Sequence, residues 1–347
     1  MFGRELQSPT RWLAIFAATF AFLCAAAGVD AWAQFGSSTR NSWLTCSYIA
    51  AKIARGSALG SPKLVMISGS NATLGIDMES LGRALSIHTF NFGLSASDGP
   101  GFQSFEAAKI LKPGDAVLMP LEYLAYDYGR PQDSLVDAVY ACGRDYWQTL
   151  ALDERLFYVM AAKPWRLADA IVFEGNKAMA ARTAAAAAVQ AGPLGQNLDE
   201  AIPAADRTPP GVQQPLAIRF DPASPGVRAI TRFIREAQRR HIAVFATWPN
   251  TLLFPEYRSN PEFAKIRAFY ESLDVPVIGT PEDAMFPPAL MGDTIYHLNR
   301  AGIAIRTMRL AHGLAQNSAF GAWLTASQTQ TADIAHHASN PAGGSDR

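Results

Sequence analysis

The sequence predicts an α/β fold: a parallel sheet covered on both faces by helices, in a doubly wound three-layer sandwich. Three observations predict it. Short apolar runs recur along the chain, amphipathic helical stretches lie between them, and the composition is 49% hydrophobic against 17% charged over 347 residues, which supplies ample core. Short apolar runs bounded by turn residues suit strands buried on both faces. Strand and helix in alternation point to parallel α/β architecture.

From the N-terminus, Trp12–Val29 is almost wholly apolar, with Arg4 and Arg11 before it and Asp30 just after. Its length lies at the lower edge of what crosses a bilayer. Basic residues ahead of it favour a cytoplasmic N-terminus. A cleaved signal peptide is the alternative, because Ala31-Trp32-Ala33 before Gln34 suits a small-residue cleavage rule. Either outcome exports the body of the chain to the periplasm or cell surface, whether inner-membrane anchored or secreted. A core helix is the less favoured third reading. Leu23 ahead of Cys24 is unlike a lipoprotein processing site. Residues 1–33 are thus read as an anchor or signal peptide and 34–325 as one α/β domain.

Five runs are expected strands: Lys63–Ile67, Leu85–Phe92, Asp115–Met119, Ile242–Thr247 and Val275–Ile278. Val227, Ile230, Phe233, Ile234 and Ala237 fall on one face of a helix ending at Gln238-Arg239-Arg240. Asn260-Pro261 is a cap and first-turn pair for a second helix carrying Phe263, Ile266, Tyr270 and Leu273 inward. Between the third and fourth strands, residues from about 127 to 224 read as an insertion over one sheet edge. It holds an alanine-rich helix, Ala178–Ala191, and a Pro/Gly-rich stretch, Gly192–Pro215, suited to shaping a groove or meeting a partner. The polar, alanine-rich end, 326–347, is expected to be disordered.

Composition excludes several classes. Thirty basic residues balance thirty acidic ones without a long basic run, which argues against a nucleic-acid partner. No pair of His or Cys has metal-ligand spacing, and neither a Walker lysine nor Gly-x-Gly-x-x-Gly is present; no metal or cofactor is expected. Cys46 and Cys142 can pair in an oxidising compartment, although two buried free thiols are the more ordinary state.

Open α/β sheets place chemistry beyond the carboxyl ends of their strands. Ser68-Gly69-Ser70-Asn71 follows the first expected strand, Gly93 the second and Pro120-Leu121-Glu122-Tyr123 the third; Gly292-Asp293-Thr294-Ile295-Tyr296-His297 precedes the last helix. This order, from about Lys63 to Leu310, resembles the SGNH (GDSL-like) hydrolases and O-acyltransferases. The resemblance is nearest to the exported branch with the teichoic-acid D-alanyl-transfer protein and the alginate O-acetylation proteins, and it rests on short blocks.

The resemblance implies Ser70 as nucleophile, with Gly69 where the family has Asp, Gly93 as the oxyanion glycine, His297 as general base and Asp293 as its orienting carboxylate. A serine hydroxyl needs an imidazole to take its proton. A carboxylate behind the ring fixes the tautomer. Two departures stand out. Glu122 lies where the family has an oxyanion asparagine, so Asn71 or Asn250 would have to donate in its stead, with Glu122 read chiefly as a hydrogen-bonded structural carboxylate near the site. Asp293 and His297 are four apart rather than three.

A Gly-Ser-Asn turn also forms for conformational reasons alone, so the catalytic reading requires Ser70 and His297 to meet in space. His88, His241, His312, His336 and His337 suit core, surface or helix-end roles; Trp248 suits pocket or core equally. Three functions follow. The first is transfer of an acetyl or similar group to a polysaccharide hydroxyl, with a membrane-bound O-acyltransferase partner supplying the acyl group. The second is carbohydrate or lipid ester hydrolysis. The third is a non-catalytic accessory role in polysaccharide modification.

Overall fold

A computed structural model describes residues 9–199 and 213–339. Arg4, most of the Pro/Gly-rich stretch (200–212) and the last eight residues (340–347) lie outside the described residues.

Helices are α1 (Pro9–Gln34), α2 (Arg40–Ala58), α3 (Ser70–Thr73), α4 (Met78–Leu85), α5 (Gly99–Ala107), α6 (Asp133–Cys142), α7 (Arg144–Thr149), α8 (Leu152–Ala161), α9 (Pro164–Glu174), α10 (Lys177–Ala191), α11 (Pro225–Arg239), α12 (Glu262–Glu271), α13 (Arg300–Gln316) and α14 (Ser318–Ser339). Strands are β1 (Lys63–Met66), β2 (His88–Asn91), β3 (Ala116–Met119), β4 (Ala243–Thr247), β5 (Thr251–Leu252), β6 (Val277–Ile278) and β7 (Met285–Phe286).

The fold is α/β with a five-stranded parallel sheet in the order β2-β1-β3-β4-β6. The five expected strands are those of the sheet, each shorter than its apolar run. Every residue of β1 and β3 is buried. Leu64, Met66, Ala116, Leu118, Phe245 and Ile278 pack with Leu81 of α4, Leu310 of α13 and Phe320 of α14 in one cluster. The alternate residues Val65, Val117 and Val244 are buried as well, as a period of two demands when neither face meets water.

The second strand begins three residues later than expected because Asp77 starts a helix ahead of it. The Asp77 carboxylate accepts the N–H groups of Glu79 and Ser80, and Ser86 ends the helix in the left-handed region. The predicted inward face of α11 is buried throughout. Asn260 accepts the Glu262 N–H at 3.0 Å, so it caps α12 as its sequence suggested, one position from the assigned boundary.

The chain forms two compact units. One comprises residues 47–132 and 185–347 and contains the sheet; the other comprises 1–46 and 133–184. The expected insertion is thereby divided: residues 133–184 pack with the N-terminal segment, and its other described residues belong with the sheet. In the helical unit Cys46 and Cys142 form a disulfide, correcting the expectation of free thiols. Arg166 also pairs with Asp137 and donates to the Gln34, Ser37 and Asp137 carbonyls. The disorder expected from residue 326 is corrected for 326–339, which α14 includes; residues 340–347 lie outside the described residues.

Candidate active site

Parallel strands bring all their carboxyl ends to one edge, and the order reverses between β1, which leads outward to β2, and β3, which leads to β4 and β6. Ligands bind at such a reversal. Ser70, the first residue of α3, leaves β1 at this edge. His297 and Asp293 arrive from a short loop ahead of α13. Gly292 N–H donates to the His297 carbonyl at 2.8 Å, and Met291 and Leu298 close the loop with an antiparallel bridge. Leu298 N–H then donates to the Leu74 carbonyl at 2.8 Å, which ties the histidine loop to the nucleophile turn. Asn299 caps α13 through Gly302 N–H and donates to the Ala289 carbonyl.

The three side chains meet. His297 Nε2 lies 2.8 Å from Ser70 Oγ, and Nδ1 lies 2.7 Å from Asp293 Oδ1. A carboxylate can only accept, so Nδ1 donates and Nε2 is left to accept the serine proton. The four-residue spacing of Asp293 and His297 is accommodated because the intervening chain is a loop rather than a helix. His297 is 13% exposed and Asp293 31%. The arrangement can activate a hydroxyl for attack on a carbonyl.

The other expected residues are present but otherwise engaged. Gly93 packs against the nucleophile turn so closely that a Cβ there would stand 2.7 Å from Thr73 Oγ1 and 2.9 Å from the Gly69 carbonyl. Its N–H donates to Asn91 Oδ1 at 2.7 Å, so the donor expected at Gly93 is already engaged, while the Ser70 N–H heads α3, where a first-turn N–H has no intrahelical acceptor. Asn71 donates to Ser68 Oγ and the Pro120 carbonyl. Asn250 donates to the Asn71 carbonyl at 2.8 Å and accepts from Arg306 Nε at 3.1 Å. Both amides donate to groups that hold the loops together. Glu122 is 3% exposed and accepts the N–H groups of Gly69 (3.0 Å) and Asn71 (3.2 Å). It is a hydrogen-bonded carboxylate that holds the turn around Ser70. Trp248 belongs to the core: it is buried, its ring edge-on to Phe263 and its Nε1 donating to the Gly279 carbonyl.

Two buried cations support the site and went unread in the sequence. Lys52, on α2, donates to the carbonyls of Asn91 and Gly93 and lies 4.5 Å over the Tyr48 ring. Burial lowers its pKa well below the usual lysine range. Burial raises that of Tyr48 to about 12, opposed by its hydrogen bond to Thr73. Arg306 of α13 ties Asn250 to the Trp248 carbonyl, and burial lowers it to about 10. The available signal was a charge at an inward position of an amphipathic helix, which does not say what the charge meets. In comparisons with known protein families and with curated proteins, no match to this chain is found.

Proposed function

We propose that this chain is an exported, serine-dependent acyl-transfer protein of the SGNH-like type, acting as an O-acetyltransferase on hydroxyl groups of a cell-surface or secreted polysaccharide. The hydrogen-bonded line Ser70–His297–Asp293 carries the reading. His297 takes the Ser70 proton as Oγ attacks the acyl carbonyl, and returns it to the departing group. The acyl-serine is then attacked by an acceptor hydroxyl whose proton passes to His297, releasing the acylated product and restoring Ser70. Asp293 stabilises the imidazolium in both halves.

The doubly wound sandwich belongs to this reading. Support for it comes from the strand order reversing between β1 and β3, and from the helix pairs α4/α13 and α5/α11. Export rests on α1, long and apolar enough to cross a membrane, and a membrane-bound O-acyltransferase is the acyl donor's source. An esterase would use the same three groups with water as acceptor. A non-catalytic accessory role is the second reading, favoured by one observation: the Gly93 N–H is bound to Asn91, which removes one of two oxyanion donors, and a single donor is worth ~3 kcal/mol in the transition state.

Release of p-nitrophenol from its acetate by the full chain in detergent tests the reading. A rate abolished by Ser70→Ala supports catalysis; equal rates in the two proteins leave only the accessory role. Acetylated polysaccharide, detected by mass spectrometry when acceptor is added, separates transferase from esterase.

A further inference from the structure

The helical unit exposes large apolar side chains that its own core does not use. On α8, Leu152 (74% exposed), Leu156 (53%) and Met160 (84%) fall at intervals of four on one face. On α9, Trp165 and Val172, seven apart, share a face, with Ile171 beside them; all three are more than half exposed. Clusters of this kind on a soluble surface mark an interaction site.

Their neighbour indicates the occupant. Both α8 and α9 pack against α1, whose apolar body is exposed from Trp12 to Val29 while Ala31 and Gln34 are buried in the unit. Gln34 Nε2 donates to the Lys163 carbonyl and Arg166 Nη1 to the Gln34 carbonyl, each at 3.4 Å. The start of α9 is therefore pinned to the last turn of α1. At about 1.5 Å per residue, Gln34 lies roughly 7 Å along the axis beyond Val29, which matches the headgroup layer of about 5–7 Å on each side of the hydrocarbon core. Trp32, on the last turns of α1, and Trp165, one residue before Arg166, are both exposed, the residue type that membrane proteins carry in their aromatic belts.

We infer that the α8–α9 face lies on the lipid surface around the exit of α1, holding the helical unit flat on the bilayer as an interfacial platform. The inference rests on the reading of α1 as a retained anchor, which the burial of Ala31 also supports: cleavage after Ala33 would remove that residue from the unit's packing.

Full-length chain carrying Cys24→Ser and one of Phe20→Cys, Leu156→Cys or Val172→Cys, labelled with an environment-sensitive fluorophore, is placed in phosphatidylcholine/phosphatidylglycerol vesicles with and without doxyl lipid. The expected result is doxyl quenching at all three positions, with iodide in the buffer quenching none. Quenching at 20 alone, with 156 and 172 open to iodide, overturns the platform and leaves the anchor standing. Absence of doxyl quenching at 20 overturns the anchor itself. Labels at 156 and 172 shielded from both quenchers mean that protein covers this face, which also overturns the proposal. Leu156→Glu and Val172→Glu, both on the surface, should leave p-nitrophenyl acetate turnover in detergent unchanged while abolishing doxyl quenching at the remaining labelled position.

Discussion

The carboxylate of Glu122 occupies the space a side chain at position 69 would need: a Cβ on Gly69 would stand 2.2 Å from Glu122 Oε1. In the family that the sequence resembles, position 69 carries the carboxylate itself. Here the end of β3 brings one in from the side, and Gly69 makes room for it. The group then accepts the two backbone N–H groups flanking Ser70.

Glu122→Gln should therefore destabilise the sheet unit, because the new amide nitrogen faces an N–H it cannot accept. A buried donor left unpaired costs ~1–3 kcal/mol, and each kcal/mol lowers Tm by about 2–4 °C in a domain of this size. Thermal denaturation followed by circular dichroism measures it. An unchanged Tm would show that Glu122 does not support the turn.

If Ser70 and His297 act as one unit, their losses do not multiply. Ser70→Ala and His297→Ala should each lower p-nitrophenyl acetate turnover to the same residual rate, on the order of 10³- to 10⁶-fold down, and the double variant no further. Asp293→Asn keeps the geometry but favours the wrong tautomer, and should cost less than either. Multiplying losses would mean that the 2.8 Å contact between Ser70 and His297 has no catalytic meaning.

Asp98 supplies a pH dependence of stability. It is 3% exposed, and burial raises its carboxyl to about 6, opposed by the Ser95 N–H that it accepts. With the folded pKa above the unfolded one, the native state binds the extra proton. Stability should thus be highest below about pH 4 as far as this group is concerned, and fall as pH rises to about 6, by at most ~3 kcal/mol. Urea titrations of wild type and Asp98→Asn across pH 4–7 should converge at the acid end and diverge towards neutral, with the variant the more stable there. Parallel curves would remove Asp98 as the cause.

The disulfide should matter most to the helical unit. Cys46 and Cys142 close a span of 96 residues, and losing such a link costs ~2–5 kcal/mol. Cys142→Ser should hasten proteolysis within residues 133–184 while leaving esterase turnover, which depends on the sheet unit, near wild type. Equal protease sensitivity in oxidised and reduced protein would show that the link adds nothing.

Much of the fold was legible because its signals are local. Apolar runs of four to eight residues marked the five sheet strands, and a 3.6-residue period marked the buried face of α11. The pairing of Ser70 with His297 was an expectation of the resemblance, carried by short blocks 227 residues apart, and the 2.8 Å contact between them belongs to the folded chain. Strand lengths were overread where a capped helix competed for the same residues, as Asp77 did ahead of β2. The α14 helix was missed because its polar, alanine-rich sequence beyond Phe320 and Trp323 shows no sustained apolar face to set it apart from a disordered tail.

Sequence pattern alone sufficed for the α/β class and the apolar N-terminal helix, since each depends on residues near one another in the chain. The partners of Asn250, Glu122, Lys52 and Cys46 had to wait for the folded chain. Asn250 reaches a carbonyl 179 residues away, and Gly93 presents an amide already bound to Asn91. A buried polar group must find a partner, but nothing in its own neighbourhood of sequence says which of many distant groups folding will bring within 3 Å.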